Sequence, residues 1–119
     1  MPHRDIRIKR VYEAPDEADG TRILVDRLWP RGLKKETARV DEWLKEIAPS
    51  AGLRKWYGHD RARWPEFKAR YARELEDKTE LLDRLRRRAA QGRVTLVFAS
   101  REERYCNAEA LKEILEGTG

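Results

Sequence analysis

With 119 residues the chain has room for one compact domain around one core, and not for two. Charged residues make up 41% of it, 27 basic against 22 acidic for a net charge of +5. The two signs are mixed and interleaved with apolar residues at regular spacing, which excludes a disordered polyelectrolyte. A single cysteine, Cys106, excludes an internal disulfide and any multi-cysteine metal cluster.

The opening residues Met1-Pro2-His3-Arg4-Asp5 contain no apolar stretch of the kind a secretion signal needs, and no run approaches the length of a membrane span. A cytoplasmic, reducing location is therefore expected, with no membrane partner. The basic excess admits two readings, a solvated surface or a footprint for nucleic acid. Acidic residues spread through the same helices favour the first.

In chain order, Ile6 to Tyr12 alternates apolar and basic residues, as a half-buried strand does, with Ile6 and Ile8 on one face. Glu13 to Thr21 reads as a loop, short for a crossover with its own helix, so the first two strands are either a hairpin or joined by a tight crossover. Arg22 to Val25 is a strand whose apolar run suits a central position covered on both faces. Pro30 and Gly32 end regular structure, and Lys34 to Ala38 can make one helical turn. Val40, Trp43, Leu44 and Ile47 fit a helical period, but the same stretch also fits a third strand that ends before Pro49, and the strand is preferred over Glu42 to Ile47.

Ser50 caps a short helix that runs through Tyr57 and ends at Gly58. The next helix starts near Trp64, because Pro65 suits only a first turn, and it places Trp64, Phe67, Tyr71 and Leu75 on one face. A helix from Thr79 to Gln91 follows, with Gly92 as its stop. Its arginines Arg84, Arg86, Arg87 and Arg88 gather at the end where the helix dipole favours cations. Arg93 to Ala99 is the clearest strand, and Asn107 to Glu116 closes the chain as an amphipathic helix before a frayed tail. The expected fold is α/β: a single domain, residues 1–119, with a small, mostly parallel sheet of three to four strands packed by helices.

Open α/β sheets bind ligands beyond the carboxyl ends of their strands. Three groups of polar residues would meet there: Asp26, Arg27, Trp29 and Arg31 after the second strand, Ser50 and Arg54 after the third, and Ser100, Arg101, Glu102 and Asn107 after the last. Guanidiniums beside a helix N-terminus suit a phosphate, sulfate or carboxylate. Arg27 and Arg31 are read as clamps for a small anionic ligand and Trp29 as an apolar wall. Arg54 or Arg101 would be a further cation, with Ser50 and Asn107 as polar partners. If a reaction follows, Asp26 or Glu102 is the acid/base candidate. Cys106 opens a helix, which lowers a thiol pKa, but it lacks a histidine nearby in sequence and is read as inert. No metal site or cofactor motif is present in the sequence. The rivals are a nucleic-acid-binding module working through Arg84 to Arg88 and an adaptor for another protein.

The string Val25-Asp26-Arg27-Leu28-Trp29-Pro30-Arg31-Gly32-Leu33 is distinctive. It is followed by Trp43-Leu44-Lys45-Glu46-Ile47-Ala48-Pro49-Ser50, Leu53-Arg54-Lys55-Trp56-Tyr57 and His59-Asp60, then by Val94 to Ala99 and Asn107-Ala108. With these motifs the chain resembles, over nearly its whole length, the YeaO-like bacterial proteins of the family called domain of unknown function 488. The resemblance implies a small cytoplasmic α/β domain with no established activity and no catalytic residue to carry over. Distant members carry cysteines around the end of the last strand. Here Ala99 stands at the earlier position and only Cys106 remains, which weakens thiol chemistry.

Overall fold

The computed structural model describes Asp5–Gly117, so the expected tail beyond Gly117 lies outside the described residues. Four parallel strands, β1 (Ile6–Arg10), β2 (Thr21–Leu24), β3 (Glu42–Trp43) and β4 (Val94–Phe98), form one sheet in the order β1-β4-β2-β3. Both inner strands are covered: Arg22, Ile23 and Leu24 of β2 and all five residues of β4 are buried. This is the pattern of strands covered on two faces.

The first connection is a crossover, not a hairpin, because β1 and β2 both run parallel to the β4 strand between them. Ten residues suffice because most of the return is a loop with one 3-10 turn, Glu17–Asp19, capped by Asp16. The loop enters β2 through Gly20, where φ is +66° and a Cβ would lie 2.3 Å from the Arg93 carbonyl oxygen. Glycine alone fits so close an approach in that conformation.

The strand expected over Glu42–Ile47 is corrected: β3 has two residues, and Lys45–Ile47 is a 3-10 turn. The Leu44 amide still bonds the Leu24 carbonyl, and then the chain turns. Leu44 and Ile47 both belong to the main core, and a spacing of three puts them on one side only if the chain coils.

The two faces of the sheet are covered differently. Ile6, Ile8, Ile23, Val94, Leu96 and Phe98 point to a face carrying α2 (Ala51–Tyr57), α3 (Trp64–Glu74), α4 (Thr79–Gln91) and α5 (Asn107–Glu116). Tyr57, Trp64, Phe67 and Tyr71 form a continuous line of ring contacts in that core, with centroids 4.3 to 6.1 Å apart. The Tyr71 hydroxyl donates to the buried Ile47 carbonyl at 2.6 Å. The other face has only the 11–20 loop and the 26–41 segment with the single turn α1 (Lys35–Ala38). Its small apolar cluster is Val11, Leu24, Ala38 and Val97, with Trp29 and Trp43 packed against it.

Candidate functional site

β2 hands the chain to the thinly covered face and β4 hands it to the helical face, so the two neighbouring strands diverge at their carboxyl ends. This is the topological switch point of an open sheet, where a crevice forms. Asp26 bridges the divergence. One of its oxygens accepts from the Ala99 amide at 2.8 Å, just past β4. The other accepts from the Asn107 side-chain amide at 3.1 Å, and that amide also donates to the Val25 carbonyl at 3.1 Å. The Trp43 indole donates to the Asp26 carbonyl at 2.8 Å. Burial pushes the Asp26 carboxyl above its usual range, against the pull of the Ala99 amide, the Asn107 amide and the Arg54 charge.

Beside this seam lies a cleft of about 470 Å³. Phe67, Tyr57 and Cys106 give it apolar surface, while Asp26, Ser100 and Asn107 give it polar groups. Arg54, Lys55 and His59 add cations or a titratable ring. The α2 helix carries both cations. It is anchored at its start by Glu74 of α3, whose carboxylate accepts from the Ser50 amide at 2.8 Å and the Ser50 hydroxyl at 2.5 Å. The same hydroxyl accepts from the Leu53 amide at 3.1 Å as the helix cap. At the other end Gly58 and His59 both take positive φ, 51° and 59°, and this reversal sets the His59 ring near Tyr57, 6.2 Å between centroids. Among the described residues, the Arg54 and Lys55 side chains have no hydrogen bond or ion-pair partner.

Four of the residues expected at the strand ends line the cleft: Asp26, Arg54, Ser100 and Asn107. Two stand at its margin. Arg27 donates to the carbonyl of Pro49, a lining residue, at 3.4 Å, and Ser50 lies between Pro49 and Ala51 with its hydroxyl already committed to Glu74. The remainder lie outside the lining. The Trp29 indole donates to Leu33 at 2.6 Å and packs edge-on to Trp43 at 5.6 Å, on the thinly covered face. Arg31 is exposed, its carbonyl bonded by the Tyr12 hydroxyl at 2.9 Å. Arg101 is exposed. The Glu102 carboxylate accepts from the Arg104 and Tyr105 amides and pairs with Arg61 at 3.2 Å, which holds its carboxyl below the usual range.

Lys55 and His59 are lining residues that the sequence reading did not select. A glycine helix stop followed at once by histidine was the available signal for His59. Cys106 sits at the start of α5, where the helix end and the amides of Glu109 and Ala108 favour a thiolate. Burial outweighs them and pushes the thiol up to about 11. The arginines of α4 are partly engaged: Arg84 pairs with Glu42, and Arg86 donates to the Ile114 and Leu115 carbonyls at 3.1 and 3.2 Å.

The fold and this crevice define a class: a small open-sheet α/β domain with a polar cleft at the strand switch point. Residues 5–118 match the family model described as "Inactive DUF488-N3 subclade", and the chain belongs to that family. It is 44% identical over 112 residues to the uncharacterized protein Rv3073c of Mycobacterium tuberculosis (strain ATCC 25618 / H37Rv), covering 94% of each chain. It is 39% identical over 111 residues to the uncharacterized protein YeaO of Escherichia coli (strain K12), covering 93% of this chain and 96% of that one. No solved structure matches the chain. No helix among the described residues is long and apolar enough to cross a membrane.

Proposed function

We propose that this domain binds a small phosphate- or carboxylate-bearing ligand in the switch-point cleft, without turning it over. The observation that carries this reading is the pair Arg54 and Lys55: two cations on the cleft wall with no hydrogen bond or ion pair among the described residues. Asn107 and Ser100 add neutral polar groups, and Phe67 and Tyr57 give apolar surface for the body of a ligand. A few convergent polar groups over an apolar floor is the usual make-up of a small-molecule site. The clamp assigned from sequence to Arg27 and Arg31 shifts in this reading to Arg54 and Lys55, with Arg27 at the margin.

Binding without catalysis is favoured because the candidates read from sequence, Asp26, Glu102 and Cys106, are unavailable for chemistry. Both Asp26 oxygens accept hydrogen bonds, Glu102 is bound within its own loop, and the Cys106 thiol stays protonated near neutral pH. The description of the matched subclade as inactive agrees. The nucleic-acid reading through α4 is weakened, since Arg86 is half-buried and donates to the Ile114 and Leu115 carbonyls. The adaptor reading has little to stand on: among the described residues, Tyr12 and Leu28 are the exposed large apolar side chains.

Thermal melting in the presence of inorganic phosphate, sulfate and a series of small phosphorylated and carboxylated metabolites tests the proposal. A ligand at about one hundred times its Kd adds roughly 2.7 kcal/mol and raises Tm by several degrees. That rise should shrink in Arg54→Ala and Lys55→Ala but persist in Arg31→Ala. No rise with any member of the series would overturn the reading.

A further inference from the structure

The net charge of the chain is not spread evenly. Residues 50–75, which hold α2 and α3, contain seven Lys and Arg against three Asp and Glu, a net +4. Everything outside them nets +1. Six of the seven cations are exposed: Arg54, Lys55, Arg61, Arg63, Arg70 and Arg73. Of the three acids, Glu74 is half-buried and accepts two hydrogen bonds from Ser50, so the exposed acids are Asp60 and Glu66. The exposed remainder is therefore strongly positive, and it adjoins the cleft. Lys55 lines the cleft, and Trp56 next to it carries the guanidiniums of Arg63 and Arg70 over its ring, 5.2 and 4.3 Å from the centroid. Arg70 and Arg73 then line a separate surface hollow on α3, together with Glu66 and Glu74.

We infer that this α2–α3 face binds single-stranded nucleic acid, its cations tracking phosphates from the cleft toward Arg73. The inference rests on the cleft reading only for where the strand ends. Charge complementarity supplies the attraction and flat cationic surfaces supply the selectivity. Arg63 and Arg70 lie over Trp56, and Arg61 lies over Tyr105 at 5.2 Å. A guanidinium held against a ring offers its other face to an unstacked base. A duplex keeps its base faces covered, and an acidic peptide has no rings to place there. Arg61, Arg63 and Arg70 also pair with Glu102, Asp60 and Glu66, but pairs between exposed side chains are weak and exchange readily for a phosphate.

Fluorescence anisotropy of a labelled oligothymidylate of about 15 nucleotides tests this on the full chain. Four net charges acting on four phosphates give a slope of about −2.8 in log K against log salt, so affinity falls roughly 50-fold between about 50 and 200 mM salt. Arg70→Gln with Arg73→Gln should flatten the slope by about 1.4, while Arg87→Gln with Arg88→Gln on α4 should leave it unchanged. Unaltered melting curves confirm that both variants fold. A salt-independent signal, an equal loss in the α4 variant, or equally tight binding of duplex DNA or polyglutamate would each overturn the inference. Phosphate stabilisation in a protein that ignores the oligonucleotide overturns it while leaving the cleft reading intact. Oligonucleotide binding without phosphate stabilisation removes the cleft reading and keeps the face.

Discussion

Asp19 stands two residues before β2 and Asp26 two residues after it, so one short strand carries a carboxylate at each end of the sheet. At the amino end Asp19 is packed among two cations and an amide: Arg22 at 2.7 Å, Lys9 at 3.1 Å and the Asp16 N–H at 3.0 Å. Burial alone would raise its pKa, but the Asp16 amide, Lys9 and Arg22 together hold it below the usual carboxylate range. At the carboxyl end Asp26 meets neutral donors and only the more distant charge of Arg54, and burial wins. A carboxylate surrounded by its own cations has nothing left for a ligand. Where neighbouring cations remain unpaired, the surplus charge faces the cleft. The same residue type thus marks a closed structural cluster at one edge and an open cleft at the other.

The largest effect should come from opening the closed end. Arg22 is almost fully buried and also donates to the Ala38 and Arg39 carbonyls at 2.9 and 3.2 Å. Arg22→Met should cost about 3–5 kcal/mol in urea unfolding, because it strands a buried charge. A loss below about 1 kcal/mol would mean that Lys9 alone suffices. At the open end Asp26→Ala leaves the Ala99 and Asn107 donors without their acceptor and should cost about 2 kcal/mol. Asp26→Asn should cost less, since its oxygen can keep one bond while its NH2 opposes that of Asn107.

The two ends should also answer pH with opposite signs. Asp19 titrates below its unfolded value, so its stabilisation is full above about pH 4 and disappears as pH falls through the folded pKa. Asp26 titrates above its unfolded value, so its share is present below about pH 4 and is lost as pH rises through the folded pKa. Melting curves from about pH 2 to about pH 7 for wild type, Asp19→Asn and Asp26→Asn test this. The wild-type advantage over Asp19→Asn should grow with pH, and that over Asp26→Asn should shrink. Equal signs would break the contrast. The smallest effect concerns Cys106. With its thiol pushed up to about 11, roughly one molecule in a thousand is thiolate at about pH 8, so native protein should resist alkylation and urea-unfolded protein should react fully. Rapid native labelling would show that the thiol is accessible.

The elements were most legible where the pattern was long. α4 runs Thr79–Gln91 and α5 Asn107–Glu116, as their apolar stripes and glycine stop predict, and β4 follows its apolar run to within a residue at each end. The edge at Glu42–Ile47 was not legible, because Leu44 and Ile47 satisfy a strand and a coiled turn equally on paper. Only the core position of both decides between them. For the cleft, placing polar residues at strand ends brought Asp26, Arg54, Ser100 and Asn107 to the lining. It failed for Trp29 and Arg31, because the chain leaving β2 turns toward the thin face, and composition does not encode that direction. His59 was hidden for a similar reason: two successive positive-φ residues aim it, and only the glycine is readable beforehand.

The most direct test of the contrast is to map phosphate onto the backbone amides by two-dimensional NMR during a titration of the wild-type chain. The account predicts saturable shifts at Arg54, Lys55, Ser100 and Asn107, none at Asp19 or Arg22, and loss of the response in Arg54→Ala. Shifts centred on the Asp19 end, or no saturable shift anywhere, would contradict it.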